Sequence, residues 1–246
     1  SNIVLTFAAA SNDDIFADCE VVVDLTIENQ RVAPAPMEVR ACVASWDGSR
    51  LTQWACSQGA HGARDGLAEI LSIDKANVRV ITPDVGGGFG GKTIFYSEDG
   101  AVCAAAVLTG RPVKWIEDRR EHFLTATQER DQWWEIELAL DDQARIRGVR
   151  LVMTHDNGAY FPWGIITPYI AVTTVPGPYV VPAMDIDLRI VHTNKSPATP
   201  VRGAGRPAVS LGLAAALLLG LPLVPRHANA ASCGEASTAS HGEADE

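Results

Sequence analysis

The run Asp84-Val-Gly-Gly-Gly-Phe-Gly-Gly-Lys-Thr93 constrains this chain more than any other segment. Clustered glycines let backbone N–H groups approach a ligand closely and adopt positive φ without penalty. Successive N–H groups then form a nest for an oxyanion or a metal-bound oxo group. Two readings compete. As a pattern, Gly86 to Thr93 satisfies G-x-x-x-x-G-K-[ST], the loop that cradles nucleotide phosphates. As a nest of backbone N–H groups, the same run would serve a metal-bound oxo group equally well. The loop alone does not discriminate.

Its surroundings do. A nucleotide-hydrolysing domain needs an apolar strand ending in an Asp that holds Mg²⁺. Val113-Lys-Trp-Ile-Glu-Asp118 fits poorly, with Lys114 and Trp115 in mid-strand. A helix should also begin at Lys92-Thr93, yet Ile94-Phe95-Tyr96 precedes the better start at Ser97. The phosphate match therefore reads as accidental.

Along the chain, Glu20 to Ile27 is rich in β-branched residues and reads as a strand. Pro34 and Pro36 make Gln30 to Glu38 a loop. Ala41–Ser45 and Leu51–Trp54 form a hairpin across Asp47-Gly48. From Ser57, an N-cap candidate, Leu67, Ile70 and Leu71 recur at helical spacing. Val78 to Ile81 is a short buried strand leading into the glycine loop. Ser97, with Glu98 and Asp99 at the positive end of the dipole, starts a helix that stops at Gly110. Val113 to Ile116 is a strand. Trp134, Ile136, Leu138 and Leu140 alternate with Glu135, Glu137 and Ala139, so one face of that strand is buried. Asp141-Asp142 turns it back into Ile146 to His155, and Met184 to His192 alternates likewise. Helices interspersed with antiparallel ribbons predict an α+β fold of mixed sheets and helices.

The net charge of −10 argues against a nucleic-acid or anionic-membrane surface. The five cysteines (Cys19, Cys42, Cys56, Cys103 and Cys233) include no C-x-x-C pair, which excludes a common zinc or iron–sulfur framework. Most are expected to be small core residues. An odd count without an amino-terminal signal favours reduced thiols in a cytoplasmic protein. The apolar start at Ser1 to Phe7 is too short for a secretory signal and reads as a segment cut from a longer protein.

Residues 1–207 are expected to form one domain, and 208–246 a tail of different character. Ala208 to Val224 is almost wholly Ala, Leu, Val, Gly and Pro, and a polar terminus follows. Three readings stand open: a foreign or out-of-frame terminus, a buried helix, or a membrane anchor. A span needs about 20 apolar residues.

Four further segments carry a resemblance. Asn29-Gln-Arg-Val-Ala-Pro-Ala-Pro-Met-Glu-Val-Arg-Ala41 is similar to a stretch N-R-x-A-P-x-x-M-E-P-R-A, with Val39 in place of a proline. Cys56-Ser-Gln-Gly-Ala-His-Gly-Ala-Arg64 is similar to S-Q-x-x-H-x-x-R, and Gly110 to Glu121 to G-R-P-V-K-W-x-E-x-R-x-E. Pro200-Val-Arg-Gly-Ala-Gly-Arg-Pro207 is similar to R-G-x-G-x-P. In this order, with the glycine loop, they resemble the xanthine dehydrogenase and aldehyde oxidase family of molybdenum hydroxylases. The bacterial branch that includes carbon monoxide dehydrogenase is the nearest likeness.

The resemblance implies molybdenum–molybdopterin as cofactor, in the cytosine dinucleotide form. It implies 2Fe–2S and FAD on partner subunits of a heterotrimer, since this chain has no motif for either. Gln58 would donate its side-chain amide towards the molybdenum oxo ligand; otherwise it is a solvent-facing residue at a helix start. The backbone of Phe89 and Gly90 would approach that oxo group, with Gly87 and Gly88 making room for the pterin. Phe89 could equally be a core aromatic anchoring the loop. Arg202 and Gly203 would line the other side, the bland alternative being a surface Arg in a Gly-rich turn. Thr93 and Ala204 fall at substrate positions. The purine-oxidising branch has an acid where Thr93 stands and an aromatic where Ala204 stands. It also has an Arg before its second cofactor loop, and Trp163 to Tyr179 holds no basic residue. A purine substrate is thus not expected. Neither is carbon monoxide, because the loop around Arg202 has no cysteine. An aldehyde or N-heterocyclic carbon, oxidised with water as oxygen source, is the expected substrate.

Other constellations read as structural. His155-Asp156 suggests an acid–base pair less than a turn with a capping Asp before Asn157-Gly158. His61, Arg64 and Asp65 read as a solvated helix face, and Trp133-Trp134 as packing across a hairpin. The family's general base is a glutamate in a second cofactor half, and Glu235 lacks its context, so no catalytic residue is assigned. The expectation is a truncated large subunit with weak cofactor retention and no turnover of its own. Two alternatives remain: a nucleotide-binding domain using Gly86 to Thr93, and a non-catalytic partner subunit.

Overall fold

The computed structural model describes residues 1–11, 14–161 and 163–225; Cys233, Glu235 and the polar terminus lie outside the described residues. In chain order the strands are β1 (Ile3–Ala9), β2 (Val21–Asn29), β3 (Ala41–Trp46), β4 (Leu51–Ala55), β5 (Val78–Ile81), β6 (Val113–Ile116), β7 (Gln132–Leu140), β8 (Ile146–Gly158) and β9 (Ala183–His192). The helices are α1 (Ala60–Leu71), α2 (Ser97–Thr109), α3 (Arg119–Thr125), α4 (Ile166–Thr173) and α5 (Arg206–Gly220). The fold is α+β, as the sequence predicts.

The larger sheet has the order β1-β9-β8-β7-β2, antiparallel except for β8 and β9. The β8–β9 pair is parallel because α4 lies in the connection between them, and a parallel pair needs such a crossover. Period-two alternation puts Trp134, Ile136 and Leu138 of β7 on the same buried face as Leu151, Met153, Leu188 and Ile190. Helices α4 and α5 cover that face with Ala171, Val172, Val209, Leu213 and Ala216. Each such aliphatic side chain contributes about 1.5–3 kcal/mol when fully buried.

The smaller sheet has the order β5-β4-β3-β6. Cys42, Ala44, Leu51 and Ala55 pack there against Leu67 of α1 and Val102, Cys103 and Ala106 of α2. Cys42 and Cys103 are core residues, whereas Cys19 and Cys56 are only half-buried.

Several expectations need correction. Helix α1 starts after Gly59, not at Ser57; the Ser57 hydroxyl accepts from the Gly59 amide because Gln58 is held elsewhere. Ile70 is 60 % exposed, so it lies off the buried face of α1. Strand β5 is a sheet edge, with only Val78 buried. Strand β8 continues to Gly158, which places His155 and Asp156 inside the sheet and not at a turn. Strand β1 and helices α3 and α4 are additional; α3 carries an Asp118/Glu121 capping box that the sequence displays.

The apolar run of the tail is helix α5. Taken with the short turn that follows it, Arg206–Leu223 is long and apolar enough to cross a membrane by length and composition alone. One face nevertheless packs on β2 and β7, where Gly212 and Gly220 let the helix approach closely: an added Cβ would lie 2.8 Å from Ile136 Cδ1 and 2.9 Å from Leu140 Cδ1.

Candidate functional site

Strand β5 feeds the chain into the glycine loop, and three side chains hold that loop from beneath. The Gln58 Oε1 accepts from the amides of Gly90 (2.9 Å) and Lys92 (3.2 Å), while the Gln58 amide donates to the Lys92 carbonyl at 2.9 Å. With Oε1 committed to two donors, the side-chain NH₂ makes no hydrogen bond among the described residues. Glu38 ties the loop's two ends together, its Oε2 accepting from the Gly86 amide (2.9 Å) and the Lys92 ammonium (2.7 Å). Burial pushes the Glu38 carboxyl up, but these bonds outweigh it and hold the group below the usual carboxylate range. The Tyr96 hydroxyl donates to the Gly91 carbonyl at 2.6 Å.

Pro34 and Pro36 form the platform below, each within 3.2 Å of an added Cβ at Gly91 or Gly87. That platform is pinned by His122, whose Nε2 meets the Pro34 carbonyl (2.7 Å) and whose Nδ1 meets Glu117 (2.8 Å). Glu117 also takes the Arg40 guanidinium. Burial raises the Glu117 carboxyl, and its bonds from Arg40 and His122 more than offset that.

The second loop meets the first directly. The Arg202 amide donates to the Phe89 carbonyl at 2.9 Å, and the Arg202 guanidinium lies 5.6 Å from the Phe89 ring centroid. Phe89 is left-handed at φ 54, and Gly90 follows at φ 103. A Cβ on Gly90 would overlap the Pro200 carbonyl oxygen and sit 3.0 Å from Val201 Cα, so only glycine lets the loops touch. The structure thus brings Gln58, Gly87, Gly88, Phe89, Gly90, Arg202 and Gly203 together. The amides of Thr93 and Ala204 bond within their own turns, to Gly90 and Val201, and no hydrogen bond among the described residues joins the two positions.

One geometric expectation changes. The Gly90 amide is committed to Gln58, so the amides left without a partner among the described residues are those of Gly87, Gly88 and Phe89. The phosphate-loop geometry is absent as well. Lys92 is 3 % exposed and paired with Glu38, and α2 begins only at Ser97. The acid–base alternative for His155 also fails, since its ring is fully buried and faces Gln132. Desolvation, reinforced by the nearby Arg31 charge, lowers its pKa to about 4, so it is neutral.

The available donors are amide N–H groups, a carboxamide and a guanidinium. No cluster of three His, Cys, Asp or Glu residues able to hold a metal occurs among the described residues. Such a site fits an oxygen-rich cofactor that brings its own metal ligands. The sequence pointed to Gln58, the glycines and Arg202, but not to Lys92 as a structural cation or to Tyr96 as a loop support. Glu38 was visible only inside the Met37-Glu38 motif. A groove of about 710 Å³ lies elsewhere, between α5 and Ile146, Tyr179 and Val180.

Residues 1–217 match the sequence family described as the molybdopterin cofactor-binding domain. The chain is 36% identical over 211 residues to the carbon monoxide dehydrogenase large chain of Hydrogenophaga pseudoflava, covering 80% of this chain and 25% of that one. It is 36% identical over 205 residues to the nicotine 6-hydroxylase large subunit of Paenarthrobacter nicotinovorans, covering 81% and 25%. The solved quinoline 2-oxidoreductase of Pseudomonas putida 86 superposes with a TM-score of 0.79 at 32% identity, over 87% of this chain and 29% of that chain. The chain spans about a quarter of the length of the curated relatives it matches.

Proposed function

The chain belongs to the molybdopterin cofactor-binding domain family, and from that premise we propose that it forms one wall of the cofactor site in a molybdenum hydroxylase large subunit. The observation that carries this reading is the junction of the two loops, with Gln58 beneath one and Arg202 leading the other.

In this reading the Gln58 NH₂ would serve as a donor to the cofactor's oxo group, and the amides of Gly87, Gly88 and Phe89, which have no partner among the described residues, would be donors to its oxygen atoms. The Arg202 guanidinium supplies positive charge opposite, which favours an anionic pterin ligand. When bound, the cofactor supplies hydroxylation of an electron-poor carbon with oxygen from water. The residues of this chain orient it and shield it. Thr93 and Ala204 stand at substrate positions and carry no charge for a purine. Two of the relatives are named for nicotine and quinoline, which favours an N-heterocyclic carbon over an aldehyde. The reading includes the cytosine dinucleotide form of the cofactor, iron–sulfur and FAD subunits as partners, and a cytoplasmic setting.

With the Gly87–Phe89 amides open on one side, the chain alone is proposed to hold the cofactor weakly and to show no turnover. The test is a titration of the purified chain with molybdopterin cytosine dinucleotide, followed by tryptophan fluorescence. Reversible binding that weakens about tenfold in Gln58→Ala is expected, one lost charge-assisted hydrogen bond being worth that much. Absence of pterin binding together with Mg²⁺-dependent nucleotide binding would overturn the proposal.

A further inference from the structure

Behind the junction of the two loops lies a buried carboxylate that the cofactor reading does not use. Glu129 is 5 % exposed, and its Oε1 accepts from the Val201 amide at 3.0 Å, one residue before Arg202. Its backbone is fixed in both directions to Val32, at the start of the proline platform: the Val32 amide donates to the Glu129 carbonyl (3.0 Å) and the Glu129 amide to the Val32 carbonyl (2.9 Å). Gln128 is stitched in the same way to Pro197 and Thr199 (3.0 and 2.8 Å). One residue therefore touches the segment beneath the glycine loop with its backbone and the Arg202 loop with its side chain.

An independent observation concerns the chain just after it. Arg130 and Asp131 are consecutive non-glycine residues in the left-handed region, at φ 70 and φ 63. Such strain persists only where its surroundings over-determine it. Here Asp131 Oδ2 takes Arg31 Nε and Lys195 Nζ, each at 2.7 Å, and its carbonyl accepts from the Asp156 amide at 3.0 Å. The left-handed pair lies between the residue that pairs with Val32 and strand β7, directly after the residue whose side chain accepts from the Val201 amide. The nearest cation, Arg130 Nε, is 3.8 Å from Glu129 Oε2 on a side chain that is 40% exposed, so the carboxylate's main partner is the Val201 amide.

We infer that Glu129 is a positioning residue that sets the gap between the glycine loop and the Arg202 loop. It acts as a fixed acceptor for the Val201 amide, through which Arg202 reaches the Phe89 carbonyl and Pro200 abuts Gly90. What the two loops hold between them rests on the proposed function, but their spacing does not.

The experiment is hydrogen–deuterium exchange on the full chain, comparing wild type with Glu129→Leu and Glu129→Gln. In Glu129→Leu, peptides covering 199–204 and 86–91 are expected to exchange at least about tenfold faster, as loss of an acceptor to a buried amide implies. Peptides from β7 to β9 should be unchanged, and Glu129→Gln, which keeps an acceptor, should restore the wild-type pattern. Unchanged protection at 199–204 in Glu129→Leu, or equal loosening throughout the chain, would overturn the inference. Should Glu129→Leu not fold, Glu129→Asp, whose carboxylate stops one methylene short, is read by the same criteria. Titration of these variants with the pterin separates the two ideas: a wild-type chain that takes no pterin counts against the proposed function, while the exchange pattern alone judges Glu129.

Discussion

The amide of Arg202 is hydrogen-bonded to the carbonyl of Phe89 at 2.9 Å, joining two loops that lie far apart in sequence. Nothing covalent or helical enforces this contact. It exists because Gly90 has no side chain and Phe89 adopts a left-handed conformation beside it.

Gly90→Ala should therefore break the junction. The added methyl meets the backbone of Pro200 and Val201, and φ 103 is strained for any L-residue. A loss of about 1–3 kcal/mol in chemical denaturation is expected, with pterin binding abolished. Retention of both would show that the loops can separate without consequence.

Lys92→Met tests the rejected phosphate reading. The Lys92 ammonium is buried against Glu38, which is 37% exposed, so water can partly re-solvate the orphaned carboxylate. The expected cost is about 1–2 kcal/mol of stability, below that of breaking a fully buried pair. Equilibrium dialysis should show no Mg²⁺-dependent nucleotide binding in either protein; binding present in wild type and lost in the variant would reinstate the phosphate loop.

His155 makes stability depend on pH. Its folded pKa is lowered to about 4 from 6.5, so below pH 6.5 the unfolded chain binds a proton that the folded chain refuses. Stability should be fully present above that value and decline as pH falls towards 4, by up to about 3 kcal/mol from this group. Urea denaturation at pH 7 and pH 5 measures it. In His155→Gln that part of the slope should vanish; an unchanged slope would assign the dependence to other groups.

Leu213→Ala probes whether α5 is integral to the core. Leu213 is 5 % exposed against the β7 face. A loss of about 2–5 kcal/mol is expected from the cavity. A variant as stable as wild type would mean that α5 is dispensable for the larger sheet.

Much of the local structure is legible because it depends on local patterns. Alternation marks β7 and β9, Asp47-Gly48 marks the β3–β4 hairpin, and Gly110 ends α2 in the left-handed conformation expected of it. The Asp118-x-x-Glu121 capping box was equally local and shows that α3 was readable too. Strand β1 was not: all seven of its residues are exposed, so burial imposes no alternation on it, and its strand character comes from pairing with β9.

For the site, the chain carries a carboxamide, a glycine nest and a guanidinium in that order, and it was their resemblance to a family pattern that marked them as candidates. Tertiary structure alone decided how they are used. It turned Lys92 from a candidate phosphate ligand into a buried counter-ion, committed the Gly90 amide to Gln58, and placed Glu129 behind Val201. Donor and acceptor inventories belong to residues and can be read one at a time. Which donor is already satisfied depends on contacts between segments distant in sequence, and those form only when both sheets have folded.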